Sequence, residues 1–125
     1  MIKLEGNWKV QEFTKNDEPI KILESGISFE QKSETIFAVT GNSGINSFFG
    51  DIEIIQNTIS VGDKMASTKM AGSPEAMEYE DNFLECLTKA DGIEILEQDG
   101  NETLKISSSQ NNMSLYFISS PSDES

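Results

Sequence analysis

The sequence predicts a mainly β, α+β protein: a small, incomplete antiparallel barrel of about eight strands with one helix packed on it. Three observations predict it. Short runs of alternating apolar and polar residues recur along the chain, each bounded by Gly, Asn, Asp, Ser or Pro. One stretch, beginning at Ser73, instead places apolar residues at helical spacing. The order of these segments, with strands before and after the helix, fits neither a helix bundle nor a doubly wound sheet. The helix is expected to cover an open edge or mouth of the sheet.

Residues 7–13 (NWKVQEF) alternate around Trp8, Val10 and Glu12, and Phe13 breaks the alternation. A polar loop with Asn16, Asp17, Glu18 and Pro19 follows. Residues 27–30 and 35–39 read as two strands joined by a turn over 31–34. In TGNSG (40–44), Gly41 and Gly44 allow positive φ and Asn42 tolerates it, which suits a loop or bulge. Residues 46–55 carry Phe48, Gly50, Ile52 and Ile54 on one side, and Gln56 and Asn57 turn the chain into 58–61. In the helix, Ser73 is the cap, Pro74 the first residue, and Glu75 and Glu78 suit the positive end of the dipole. Met77, Phe83, Leu84 and Leu87 form its apolar face, Glu80, Asp81 and Glu85 point outward, and Gly92 is the expected stop after Lys89. Strands are expected at 93–97, 103–107 and 113–118, with turns at Asp99-Gly100 and at 110–112.

These elements form one domain over residues 1–119, followed by a polar tail, 120–125. The net charge is −13, from 22 acidic against 9 basic residues. So acidic a chain repels phosphate backbones and anionic lipid heads, which disfavours nucleic-acid and membrane-surface partners. No apolar run approaches the ~18–20 residues of a membrane span. The start, MIKLEGNWKV, lacks the basic and apolar regions of a secretion signal, so the cytoplasm is the expected location. A chain beginning after a removed signal, in the envelope or secreted, would read the same.

The chain contains no histidine, which removes histidine-based triads, histidine acid–base chemistry and the usual catalytic zinc sites. MASTKMAG (65–72) sets Ser67, Thr68 and Lys69 side by side. A serine–lysine catalyst needs a buried, neutral lysine. Read as a strand, Ala66, Thr68 and Met70 share the apolar face, while Ser67 and Lys69 face water, which leaves the lysine charged. Close pairs of acids such as Asp17/Glu18 and Glu78/Glu80 are inevitable among 22 and carry almost no signal. The Asp99 to Thr103 stretch lacks the twelfth-position glutamate of a calcium loop and reads as a hairpin turn. Cys86, the single cysteine, lies between helix residues Leu84 and Leu87 and reads as a buried, inert thiol. No catalytic residue, metal site or cofactor is therefore expected. The candidates for ligand contact are Trp8, Phe48, Phe49 and Met70, with Met65 and Met77 as adaptable apolar lining, although aromatics and methionines are common core residues and core filling is the default reading of all of them.

The order of motifs carries further information: Gly6-x-Trp8-x-Val10, then GNSGINSFFG, then ASTKM, then a helix reading ME-x-E-x-x-FL-x-x-L, then strands around LKI and LYF. From Gly6 to Phe117 this resembles the META domain family, which includes the bacterial heat-inducible HslJ proteins. On that resemblance Gly44, Asn46 and Phe48 or Phe49 match the family's loop. Thr68, Met70 and Ala71 match its threonine–methionine segment, and Glu80, Phe83, Leu84 and Leu87 its helix. Two family cysteines are replaced, by Ile45 and Gly72, which fits a reducing compartment. The resemblance implies an incomplete barrel with a helix, no general enzymatic activity, and links to heat stress, drug resistance, motility or virulence.

Three functions are open at this level. One is a non-enzymatic, stress-associated domain that binds an apolar ligand or a peptide or protein between barrel and helix. Another is a carboxylate-based small-molecule enzyme, which needs at least two inward acids with raised pKa values. The last is a structural module, a monomer or weak homodimer joined through an exposed strand edge.

Overall fold

Ten strands and one helix are present in the computed structural model, which describes residues 6–42, 46–61, 65–68, 72–98 and 101–120, with backbone alone at 98, 101 and 120. Gly44, Ile45, Lys69, Met70, Ala71, the Asp99-Gly100 turn and residues 121–125 lie outside the described residues. The strands are β1 (Gly6–Lys15), β2 (Glu18–Pro19), β3 (Gly26–Gln31), β4 (Ile36–Asn42), β5 (Ser47–Ile55), β6 (Thr58–Val61) and β7 (Ala66–Ser67). After helix α1 (Pro74–Thr88) come β8 (Gly92–Gln98), β9 (Asn101–Ser108) and β10 (Met113–Ser120).

Eight of these strands, in the order β10-β9-β8-β6-β5-β4-β3-β1, close into an antiparallel barrel through pairing of β1 with β10. The two-residue strands β2 and β7 hang on β1 and β5. The expected barrel is thus complete, and its weakest seam is β6–β8, which pair at Thr58↔Gly92 alone.

Phe13 breaks the alternation of β1 because of a bulge. Register against β10 shifts between Val10, opposite Phe117, and Glu12, opposite Tyr116. The extra residue restores Phe13 to the inner face, where it is fully buried with Trp8 and Val10. In β5 the inner residues are Phe48, Ile52 and Ile54. Gly41 sits opposite Phe48 because nothing larger fits: a Cβ there would lie 2.5 Å from the Phe48 ring and from the Gly26 carbonyl oxygen.

Helix α1 begins as its sequence dictates. Ser73 Oγ accepts the Ala76 N–H at 3.1 Å, and Pro74 occupies the first turn, where no intrahelical N–H is needed. Its end differs from expectation. Lys89 caps it at φ −108°, its N–H directed at the Glu85 and Leu87 carbonyls, while Gly92 opens β8 and stops nothing. The buried stripe is Tyr79, Phe83, Cys86 and Leu87. Met77, expected on that face, is 46% exposed, and Glu80, expected outside, is half-buried and bonded inward. Tyr79 packs edge-on to Phe13 (centroids 6.0 Å) and Phe83 against Phe48 (5.6 Å). The helix thereby fills the barrel with aromatics from its own side. The interior holds Phe13, Phe48, Phe83, Phe117, Leu104 and Leu115, all fully buried.

The 66–68 segment reverses the expected facing. Ala66 and Thr68 are exposed and Ser67 is half-buried. Register decides this: Ser67 lies opposite inward Phe48, and Ala66 opposite outward Phe49. The strand's own hydropathy, on which the expectation rested, is overridden by its neighbour.

Candidate functional site

Three of the residues picked out by the motif order converge on one buried polar junction. Asn46 is 3% exposed, at the start of β5. Its Nδ2 donates to both carboxylate oxygens of Glu80 on α1, at 2.9 Å each. Its Oδ1 accepts the Thr68 hydroxyl at 2.8 Å, and Thr68 Oγ1 in turn accepts the Ser47 N–H at 3.1 Å. The backbone closes the loop, Thr68 N–H donating to the Ser47 carbonyl at 3.0 Å. The junction ties β5, the 66–68 segment and the helix together, and it presents no proton-transfer pair or nucleophile. Phe83 and Leu87 are core residues of the same helix, and Leu84 packs half-buried against them.

The four candidates for ligand contact do not form one site. Trp8 is 4% exposed, opposite Ile27 and Ser119 in the sheet. Phe48 is buried against Phe83, whereas Phe49, its sequence neighbour, is 56% exposed on the outer face. Met70 lies outside the described residues.

Between barrel and helix runs a groove of about 350 Å³, lined by Lys15, Lys21, Glu75, Tyr79 and Asn82 among others. It is polar, contrary to expectation for an apolar ligand there. Lys21 pairs with Glu75 at 3.1 Å and Lys15 Nζ donates to Asn82 at 3.3 Å. Tyr79 closes its floor. The Tyr79 hydroxyl lies 2.6 Å from Ser25 Oγ, which donates to the Leu23 carbonyl, so the tyrosine is the donor to serine. Burial raises the Tyr79 pKa.

A groove of about 660 Å³ at the end of the barrel has apolar walls. It lies between the β3–β4 turn (Gln31, Glu34, Thr35) and the β5–β6 turn (Gln56, Asn57), with Phe37, Ile54 and Ile55 as its apolar surface. Ile55 is 54% exposed. Sequence reasoning placed Ile54 on the inner face and passed over its neighbour. The signal was present: two consecutive isoleucines end an alternating strand, and only one can point inward.

Among the described residues no Asp or Glu is buried; the buried polar residues are Ser25, Asn46 and Ser108. The described residues hold no group of three or more Cys, Asp or Glu placed to bind a metal. Asp91 has a pKa lowered by the hydroxyl and N–H of Ser109. Burial pushes the Cys86 thiol up to about 12, with the charge of Glu85 adding to the shift. No helix among the described residues is long and apolar enough to cross a membrane.

The family model for the META domain matches residues 2–120. Two solved structures are similar. One is the NMR structure of a protein from Burkholderia xenovorans, with TM-score 0.73 and 18% identity, covering 94% of this chain and 83% of that one. The other is the crystal structure of a DUF4847 family protein from Bacteroides vulgatus, with TM-score 0.59 and 19% identity, covering 96% of each chain. At such identities both likenesses concern the fold. No curated protein matches the sequence.

Proposed function

The chain belongs to the META domain family, and from that premise we propose that it is a non-catalytic binding domain which takes an apolar side chain of a peptide in the groove between the β3–β4 and β5–β6 turns. The observation that carries this reading is Ile55, exposed beside Phe37 and Ile54 in an open apolar groove with a polar rim. A peptide suits it better than a small apolar ligand held inside, because side chains already fill the interior.

The non-catalytic part of the reading is supported by chemistry. A carboxylate enzyme needs desolvated acids, and the described acids are all at least partly solvated. The one thiol is buried and held protonated, and histidine is absent from the chain. A stress-associated role in a reducing compartment belongs to the same reading, supported by the resemblance to heat-inducible relatives and by Ile45 and Gly72 at the two positions where relatives carry cysteine.

The test is an amide-resolved NMR titration with short peptides that carry one central Leu, Ile or Phe. Shift changes are expected at Phe37, Ile54, Ile55 and Gln56, and their loss in Ile55→Asp at an unchanged melting temperature. Responses confined to the Trp8 side of the barrel, or none at all, would remove this groove as the site.

A further inference from the structure

The barrel closes, yet one of its strands keeps an unpaired edge. Strand β8 pairs with β9 along its whole length, from Gly92↔Ser107 to Gln98↔Asn101. On its other side β6 reaches it only at Thr58↔Gly92, and the β5–β6 turn adds one more clasp. There Ile93 N–H donates to the Asn57 carbonyl at 3.0 Å, and Asn57 Nδ2 donates to the Ile93 carbonyl at 3.1 Å. Beyond that clasp the chain has turned back, so residues 94–98 run on past the barrel wall with a neighbour on one side only, among the described residues.

Alternation fixes which groups lie bare. The N–H and C=O of Ile93 point away from β9, toward Asn57. Those of Ile95 and Glu97 point the same way, since an antiparallel strand directs every second residue to the same neighbour. The edge therefore offers two donors and two acceptors in ladder geometry. Asn57, which clasps Ile93, also lines the apolar groove, so edge and groove adjoin.

The charges beside this edge are unbalanced. Glu97 lies directly opposite Glu102 at the far end of the β8–β9 hairpin, both exposed. Like charges opposite one another on one face are unfavourable, and a cation on the next strand relieves them. One step back on that face, Ile95 packs partly buried against the core.

We infer that residues 94–98 of β8 are a docking edge, where an extended segment of another protein adds as a further strand, placing a lysine or arginine beside Glu97 and Glu102 and an apolar residue beside Ile95. This names the partner class of the binding function proposed above and rests on it. Main-chain hydrogen bonds supply the affinity of such strand addition and alternate side chains the specificity. A second copy of this chain is a poor occupant, because it brings a further charge of −13 and its own Glu94 and Glu97 to the same edge. The exposed acids also oppose pairing of this edge with a second copy of itself.

The test uses the whole chain, a peptide alternating valine and lysine, and the same peptide N-methylated at alternate amides, at physiological salt. In the free protein the Ile95 and Glu97 amides are expected to exchange rapidly with solvent, and the unmodified peptide to protect both. The N-methylated peptide, with equal charge, is expected not to bind. Glu97→Pro, which removes an outward N–H while keeping the β9 ladder, is expected to weaken binding about tenfold or more, the loss of roughly one ladder bond and one charge. Its melting curve shows whether the fold is kept, and the N-methylated arm needs no variant. Equal binding of both peptides would overturn the inference in favour of diffuse charge attraction. Protection of these amides in the free protein would overturn it too, and a concentration-dependent dimer would assign the edge to self-pairing. Binding abolished by Ile55→Asp but unaffected by Glu97→Pro would remove the edge and keep the groove. Binding at neither would remove both.

Discussion

Asn46 and Glu80, 34 residues apart, meet through a single amide nitrogen that donates to both carboxylate oxygens at 2.9 Å. The contact joins the entry of β5 to the first half of the helix, and Thr68 completes it from the other side of Asn46. The resemblance singles out these positions, and the geometry shows that they form a brace in place of a reactive site. Asn46→Ala is expected to lower stability by about 1–3 kcal/mol, the cost of removing a buried hydrogen-bonding partner of a charged group. Glu80→Gln keeps one acceptor and is expected to cost less than Glu80→Ala. Denaturant melts of Asn46→Ala, Glu80→Ala and the double variant check the coupling, expected at about 0.5–3 kcal/mol for residues in one network. Additive losses would show that the brace is not cooperative.

Trp8 anchors β1 in the barrel wall. It is buried between β3 and β10, and its carbonyl lies so near Gly26 that a Cβ there would approach to 2.6 Å. Crowding of this kind leaves little room for the strands to collapse onto a smaller side chain. Trp8→Ala is expected to cost about 3–5 kcal/mol, as for large aromatics in packed cores. Circular dichroism melts measure it, since the variant loses the only tryptophan. An unchanged midpoint would show that Trp8 is not part of the core.

Most of the barrel was legible because alternation is local. The runs in β1, β3, β4, β5 and β10 announce themselves, and even the bulge left its trace in Phe13. The parts that were not legible depend on distant neighbours. Strand β7 faces as Phe48 and Phe49 oblige it to, whatever its own hydropathy. Closure rests on β1 meeting β10, chain ends that no window of sequence brings together. Tyr79 escaped a search for apolar residues because its hydroxyl needs Ser25, 54 residues away, before the ring can be buried. Glu80 escaped for the same reason, its inward position depending on Asn46. Of the candidate site, Ile55 was visible as a broken alternation, whereas the groove exists only because two turns lie side by side.

Cys86 gives the fold a dependence on alkaline pH. Its thiol is fully buried, and desolvation raises its pKa from 9.0 to about 12. Below pH 9 the group is protonated whether the chain is folded or not, and its contribution is fully present. As pH rises past 9 the unfolded chain releases this proton while the folded chain retains it, so the unfolded state gains. Stability falls through the window from 9 to about 12, with a slope from this one group of at most about 1.4 kcal/mol per pH unit. Tyr79, also raised by burial, acts in the same direction at the upper end. Cys86→Ala is therefore expected to be less stable at neutral pH, through lost packing, yet to decline less steeply above pH 9. Denaturant midpoints across that range, for both proteins, compare the slopes. Parallel slopes would show that the thiol ionises as readily in the folded chain, and rapid alkylation of the native protein by iodoacetamide would show the same by reactivity.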